Sequence, residues 1–445
     1  MDAADLPLVS RCAGGDVLAW RDGRAISRNA FLSDVQALAQ RLPAKRYALN
    51  LCDDRYLFML AFCAVAIRGQ TNLLPPNRSE NVLREIASDY PNSYVLQDQD
   101  ELMPGLPVVR VSADGAMGGS VGNPNIAAEH LTALVFTSGS TGKSRPNPKL
   151  WSSLVRSTGM ARERFLAHLP TAANVVVTVP PQHMYGLETS VLLALQGGVA
   201  VHSGRPFFPE DVHAALESVP KPRVLVTTPV HLRACVKAGV KLPVTDFIIS
   251  ATAPLAADLA RDAENVFSTK VFEIYGCTET GSIASRHTID GDPWKLYEGM
   301  SIVVDGGRGT VSGPQLPEPV RLADVIDGLG GDRFVLRGRA ADMINIAGKR
   351  ASLGDLNYRL QQIDGVVDGV IFQPDGENGP VERLAALVVA PTLTREQLLG
   401  ALRQAVDPVF LPRPLYLVQA LPRNETSKLP RQALLDMLKR ESTRG

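Results

Sequence analysis

The run Leu131-Thr-Ala-Leu-Val-Phe-Thr-Ser-Gly-Ser-Thr-Gly-Lys143 constrains this chain more than any other segment, because an apolar stretch stops abruptly in a loop of hydroxyls and glycines. The apolar part reads as a buried strand, since its continuous hydrophobicity has the length of a strand and leaves no polar face. After it, Gly139 and Gly142 let the backbone approach a ligand closely, while Thr137, Ser138, Ser140 and Thr141 offer hydroxyls. Such a loop suits phosphate oxygens. The ending Gly142-Lys143-Ser144 invites comparison with the Walker loop, but that motif needs a glycine where Thr137 stands. A solvated turn is the plain alternative.

Strand and helix patterns alternate through the first two thirds of the chain. Ser27 is placed to cap a helix whose Phe31, Val35, Leu38 and Leu42 share one face, and Tyr47–Cys52 reads as a strand. Helices are then expected over 54–68 and 81–89, with strands at 71–74, 93–96, 174–179, 223–227, 247–250 and 271–275. This alternation predicts an α/β fold with parallel sheets covered by helices. After Arg339 the texture changes to a small α+β unit: strands at 369–373, 385–389 and 415–418, and a helix opened by the Thr394-x-x-Gln397 capping box. The boundary expected from this change divides the chain into 1–339 and 340–445.

Composition excludes several classes of function. Lys plus Arg and Asp plus Glu both count 46, so net charge gives no reason to expect nucleic acid or an anionic membrane as a partner. The apolar run Leu57–Ile67 is too short to span a bilayer and suits a buried helix, and the first residues lack the basic start and apolar core of a secretion signal. Five scattered cysteines fit reduced thiols, hence a cytoplasmic location, better than disulfides or zinc. The seven histidines show no metal-ligand spacing, so a metal is expected to arrive with a nucleotide.

Three further clusters follow the first in order: Tyr275-Gly-Cys-Thr-Glu279, Arg337-Gly-Arg-Ala-Ala-Asp342 and Pro422-Arg-Asn-Glu-Thr-Ser-Lys-Leu-Pro-Arg431. Together the four resemble the motifs of the adenylate-forming superfamily, which includes acyl-CoA synthetases, aryl acid ligases, peptide-synthetase adenylation domains and luciferases. The resemblance implies a large amino-terminal adenylation domain, a small mobile carboxy-terminal domain, and ATP with Mg2+. It implies that Thr137, Ser138, Gly139, Ser140, Thr141, Gly142 and Lys143 hold the β and γ phosphates, and that Glu279, with Thr137, binds magnesium. It further implies that Thr278 contacts the α-phosphate, that Tyr275 stacks on adenine beside Gly276, and that Asp324 and Arg339 hold the ribose. Lys428 is the expected catalytic lysine, bridging carboxylate and α-phosphate, where a flexible cation meets developing negative charge.

The segment Pro180-Pro-Gln-His-Met-Tyr-Gly186 resembles the part of the family that bears an aromatic gate, which places His183 and Tyr185 near the acid. Ser250, Ala251, Thr252, Ala253 and Gly281 are expected to line the acid and adenine pockets, with Ser250 and Gly281 on the acid side. No counterpart of the amino-group-binding Asp of peptide-synthetase domains is evident, and the small residues at 250–253 suit a compact aromatic acid. The chain departs from the family pattern at Ser144 and Arg145, where Pro and Lys are usual, leaving Lys149 as another cation that could complete the loop. It departs again at Ala323, at Ala341 in the hinge position, and at Ser427 before Lys428. Cys277 has no evident cationic or histidine neighbour in sequence that would activate it as a nucleophile.

The short length and the 137–149 loop look like the ligases of bacterial aryl polyene pathways, implying a hydroxybenzoate substrate and an acyl carrier protein as acceptor. Basic residues exceed acidic ones after Phe410, which suits an acidic carrier protein, although a solvated tail explains them equally. Two other readings stay open: an aryl- or medium-chain acyl-CoA ligase, and a non-catalytic nucleotide-binding homologue.

Overall fold

The computed structural model describes residues 5–99, 105–113, 122–138, 144–339, 343–346, 349–374, 383–424 and 429–443. These form two compact units, one comprising 1–291, 295–301 and 312–320, the other 292–294, 302–311 and 321–445.

The first unit contains two large sheets. In one, Thr71–Leu74, Tyr47–Asn50, Ser93–Gln97 and Val108–Arg110 run parallel with Leu131–Ser138. The strand Ser144–Leu150 turns back against Leu131–Ser138 to close the edge as an antiparallel hairpin, with Ser144 opposite Ser138 and Arg145 opposite Thr137. Two prolines, Pro146 and Pro148, stand in this outermost strand. They are tolerated because alternate residues of an edge strand face away from the ladder, and Ser144, of the same parity, gives its backbone N–H to Glu85 Oε1 at 3.0 Å instead. The hairpin also settles the Walker question: that motif leads from its loop into a helix, whereas this loop leads into a strand.

The apolar run read as a buried helix is the helix Arg55–Ile67, capped by the Asp54 side chain, which accepts from Leu57 N at 2.9 Å. It is buried along nearly its whole length. Arg55 reaches from it into the second sheet, donating to the carbonyls of Val177 at 2.9 Å and Val179 at 2.8 Å and to Ser190 Oγ at 2.8 Å. Such a buried guanidinium is tolerable because its terminal nitrogens are matched to acceptors.

The second sheet has a parallel centre: Val17–Arg21, Ala200–His202, Asn174–Val177, Arg223–Thr227, Phe247–Ser250 and Lys270–Cys277, in that spatial order. Its Val- and Ile-rich strands are buried on both faces, as a helix-covered parallel sheet requires. Val176, Leu225, Ile248 and Val271 pack against the helices Pro209–Glu217, Pro229–Ala238 and Ala257–Phe267. The opposite face is covered by Trp151–Phe165 and the helical segment 184–196. The last parallel strand pairs with Gly281–His287 as an antiparallel hairpin.

In the second unit, Val320–Gly330 and Arg333–Arg339 form an antiparallel ladder in which Asp324 is opposite Arg339. A ribbon of Met343–Ile346 and Lys349–Ser352, the helix Leu353–Gln361 and a sheet of Asp368–Phe372, Ala385–Val389 and Leu415–Leu417 follow. The capping box opens the helix Arg395–Ala405 as expected, with Gln397 N donating to Thr394 Oγ1 at 3.2 Å and Thr394 N to Gln397 Oε1 at 2.8 Å. Leu356, Leu360, Ile371, Val388 and Leu398 form its core. The stretch 321–339 belongs to this unit, ahead of the boundary that the change of sequence texture marks at 339/340.

Candidate active site

Parallel α/β sheets gather ligands beyond the carboxyl ends of their strands. In the first unit those ends carry Ser250–Ala253 and Tyr275–Glu279, and the pairing of Ser250 with both Thr227 and Glu273 sets the strand ends side by side. Thr252 has φ of 77°, a left-handed conformation that is unusual for a β-branched residue. Strain of this kind persists where surrounding structure enforces it and is concentrated at functional sites. Ser250 is fully buried and its Oγ has no hydrogen-bond partner.

Thr278 and Glu279 lie in the turn between Lys270–Cys277 and Gly281–His287. Glu279 is exposed, and its main chain is held from below: Lys149 Nζ donates to the Glu279 carbonyl at 2.9 Å. Lys149 is only 6% exposed, so its ammonium group is a tie inside the protein. Burial pulls its pKa down, while Glu188, Cys277 and Glu279 act in the opposite sense. Because Lys149 sits on the strand Ser144–Leu150, this bond fastens the hairpin of that strand to the glutamate motif.

Gly276 and Gly281 are required by this turn. A Cβ on Gly276 would lie 2.0 Å from the Gly281 carbonyl oxygen, and one on Gly281, whose φ is 68°, would lie 2.5 Å from Glu188 Oε1. Glu188 itself is 6% exposed and accepts from Ser157 Oγ, from Ser282 N at 3.0 Å and from Ser282 Oγ at 3.1 Å. Burial raises its pKa, opposed by those donors and by Lys149. Sequence motifs gave no sign of Glu188; the available signal was a lone acid within the apolar segment Met184–Leu195.

Tyr185 is half-buried, and its hydroxyl lies 3.0 Å from the Thr227 carbonyl and 3.1 Å from that of Ile249, so it braces two strand ends. His183 precedes the helical segment as its N-cap residue. Cys277 is pushed up to about 11, first by burial and further by Glu279, with Thr280 acting in the opposite sense, which removes it as a thiolate nucleophile at neutral pH. Thr137 and the backbone of Ser138 end the inner strand of the hairpin, while Gly139–Lys143 lie outside the described residues.

In the second unit, Asp324 and Arg339 are backbone partners across one ladder. The flanks of the last motif are pinned: Arg423 pairs bidentately with Asp368 at 2.7 Å, and Arg431 donates to the Gln373 carbonyl at 2.9 Å. Lys428, between these flanks, lies outside the described residues, as does Ala341. Among the described residues no group of three or more His, Cys, Asp or Glu side chains is arranged to hold a metal, and no helix is long and apolar enough to cross a membrane.

A 4-coumarate–CoA ligase of Rhodobacter capsulatus is 30% identical over 240 residues, covering 54% of this chain and 60% of that protein. A 3-hydroxybenzoate–CoA/4-hydroxybenzoate–CoA ligase of Thauera aromatica is 23% identical over 399 residues, covering 79% of this chain and 74% of its own length. The structure of the anthranilate CoA ligase AuaEII in complex with anthranoyl-AMP superposes with a TM-score of 0.80 at 15% identity, covering 100% of both chains, and so shares the fold. The match to the coumarate ligase thus spans less than two thirds of that relative. The family of AMP-binding enzymes matches residues 37–306, more than half of the chain, and this protein belongs to it.

Proposed function

We propose that this protein is an AMP-forming acid–thiol ligase that activates an aromatic carboxylic acid with ATP. A carboxylate oxygen attacks the α-phosphorus and pyrophosphate leaves; a thiol then attacks the acyl carbon of the adenylate and AMP leaves. The observation that carries this reading is the tie from Lys149 to the Glu279 carbonyl, which joins the phosphate-loop hairpin to an exposed carboxylate at the strand ends. Positioning and charge neutralisation are what such a reaction asks of a protein.

In this reading the loop from Thr137 to Lys143 holds the β and γ phosphates, Thr278 the α-phosphate, and Tyr275 the adenine, with Ala251, Thr252, Ala253 and Gly276 around it. Asp324 and Arg339 hold the ribose. Glu279 and the Thr137 hydroxyl are hard oxygen donors that fit Mg2+, an ion that takes few protein ligands and completes its shell with phosphate and water. When bound, the ion neutralises phosphate charge. His183, Tyr185, Ser250 and Gly281 border the acid, and Lys428 is delivered by a mobile unit hinged at 340–342, with 1–339 as the adenylation domain.

The finer reading is a hydroxybenzoate–acyl carrier protein ligase like that of xanthomonadin (aryl polyene) pigment biosynthesis, acting in the cytoplasm. The 137–149 loop and the basic excess after Phe410 support it. A second reading, an aryl-CoA ligase, is favoured by the coumarate and hydroxybenzoate CoA ligases among the relatives. Acid-dependent exchange of labelled pyrophosphate into ATP tests the activation step: exchange with 3- or 4-hydroxybenzoate is expected, and none with any aryl or aliphatic acid leaves only the non-catalytic homologue. Turnover with free CoA alone, and none with a phosphopantetheinylated carrier protein, selects the second reading. Lys428→Ala is expected to slow adenylation by about two orders of magnitude or more while sparing transfer from preformed adenylate; equal loss in both half-reactions contradicts the assignment.

A further inference from the structure

On the face of the sheet covered by Trp151–Phe165 and the segment 184–196 lies a small cavity walled by Phe165, Leu193, Ile249 and Ile274 and bearing Glu188 and Tyr297. Its volume of about 20 Å³ takes one or two water-sized groups and no aromatic ring. Tyr297 is 1% exposed, and its hydroxyl, with the Ser282 side chain close by, makes no hydrogen bond of good geometry. An unsatisfied buried hydroxyl is costly enough to call for a ligand or a function. Glu188 faces the same space. A carboxylate offers about four acceptor positions, and the hydroxyls of Ser157 and Ser282 with the Ser282 N–H leave room for one more donor.

The place of the cavity is informative. Successive strand residues point to opposite faces, so Ile249 and Ile274 face it while Ser250 and Tyr275, next along each strand, point the other way. It therefore lies across the sheet from the ring proposed to stack on adenine. Glu188 and Thr189 enter the cavity lining from a π-helical turn over Leu187–Leu192, a widened helical geometry frequent at functional sites.

We propose that this cavity is a subsite for a ring hydroxyl of the aromatic acid, with the Tyr297 hydroxyl donating to it and Glu188 accepting its proton in a hydrogen bond. The inference rests on the acid-activating reading above and adds the residues that select the substrate. A phenolic oxygen both accepts and donates, which matches one unpartnered donor beside one open acceptor. An aniline nitrogen is a poor acceptor, and an unsubstituted ring leaves both protein groups unmatched. Since only the substituent fits, the ring lies outside the cavity, toward the strand ends.

The test is pyrophosphate exchange with 4-hydroxybenzoate, 3-hydroxybenzoate and benzoate, using the full chain and Tyr297→Phe. The unmodified protein is expected to prefer at least one hydroxybenzoate, and the substitution to reduce that preference, as a ratio of kcat/KM values, by about tenfold or more. An unchanged ratio, or no initial preference for a hydroxylated acid, overturns the subsite while leaving the ligase reading intact. Absence of exchange with every aryl acid overturns both. A measurement independent of substitution is the ultraviolet spectrum of 4-hydroxybenzoate on binding: a red shift is expected as its phenol bonds to a buried carboxylate, and an unshifted spectrum at saturation overturns the proposal.

Discussion

Two glutamates flank the Thr280–Gly281 turn in space and differ in almost everything but chemistry. Glu279 is exposed at the strand ends with its main chain clamped by Lys149, whereas Glu188 is buried with its carboxylate committed to Ser157 and Ser282. The difference teaches how one side-chain type serves two purposes. Where water reaches the carboxylate, rigidity has to come from the backbone; where it does not, the carboxylate itself is the fixed point around which hydroxyls and main chain are organised.

The largest effect that would sharpen this contrast is expected from Glu279→Gln. Pyrophosphate exchange should fall by about a hundredfold or more, with a weakened dependence on magnesium concentration. Stability should change by no more than about 0.5 kcal/mol, because the side chain is exposed. A melting temperature depressed along with activity would erase the distinction. Gly281→Ala should act in the reverse order: the left-handed backbone and the approach to Glu188 predict a loss of about 1–3 kcal/mol in denaturant unfolding. Exchange activity should fall as well, both through the lost stability and through the acid site that Gly281 is proposed to border.

Lys149→Met cuts the link between the two regions. It leaves the Glu279 carbonyl without its donor and Glu188 without a nearby cation, so a stability loss of about 1–3 kcal/mol is expected. Exchange should slow by about tenfold through misplacement of the turn. Full exchange activity in a destabilised variant would show that the clamp does not position Glu279. The smallest effect is expected at Cys277. With its folded pKa raised from 9.0 to about 11, the neutral thiol's contribution to stability is fully present below pH 9 and is lost as pH rises toward 11. Peptide-resolved alkylation of Cys277 should therefore be slow at pH 8 and gain rate only near pH 11.

The sequence was most legible where a periodic pattern or an ordered motif met a single structural solution. The buried helix after Asp54, the valine-rich parallel strands, the Thr394 capping box and the placement of Tyr275–Glu279 at a strand end could all be read from local patterns. What could not be read depends on contacts between distant segments. Lys149 and Glu279 are 130 residues apart, and Ser282 and Glu188 are 94 apart. Nothing local distinguishes a lysine that fastens a turn from one that meets a phosphate. Tyr297 carries no motif, and its meaning comes only from the cavity that folding builds around it. The 137–143 segment was recognised as different from a Walker loop by one missing glycine, but the reason, a hairpin in place of a helix, is topological.

That hairpin has a consequence for the protein in a crowded solution. It forms the rim of its sheet and presents an open line of main chain, the kind of border on which foreign strands can assemble. Pro146 and Pro148 remove the donors at consecutive outward positions, and the outward N–H of Ser144 is already given to Glu85. That border can thus stay uncovered without inviting a neighbouring molecule to extend it into an aggregate.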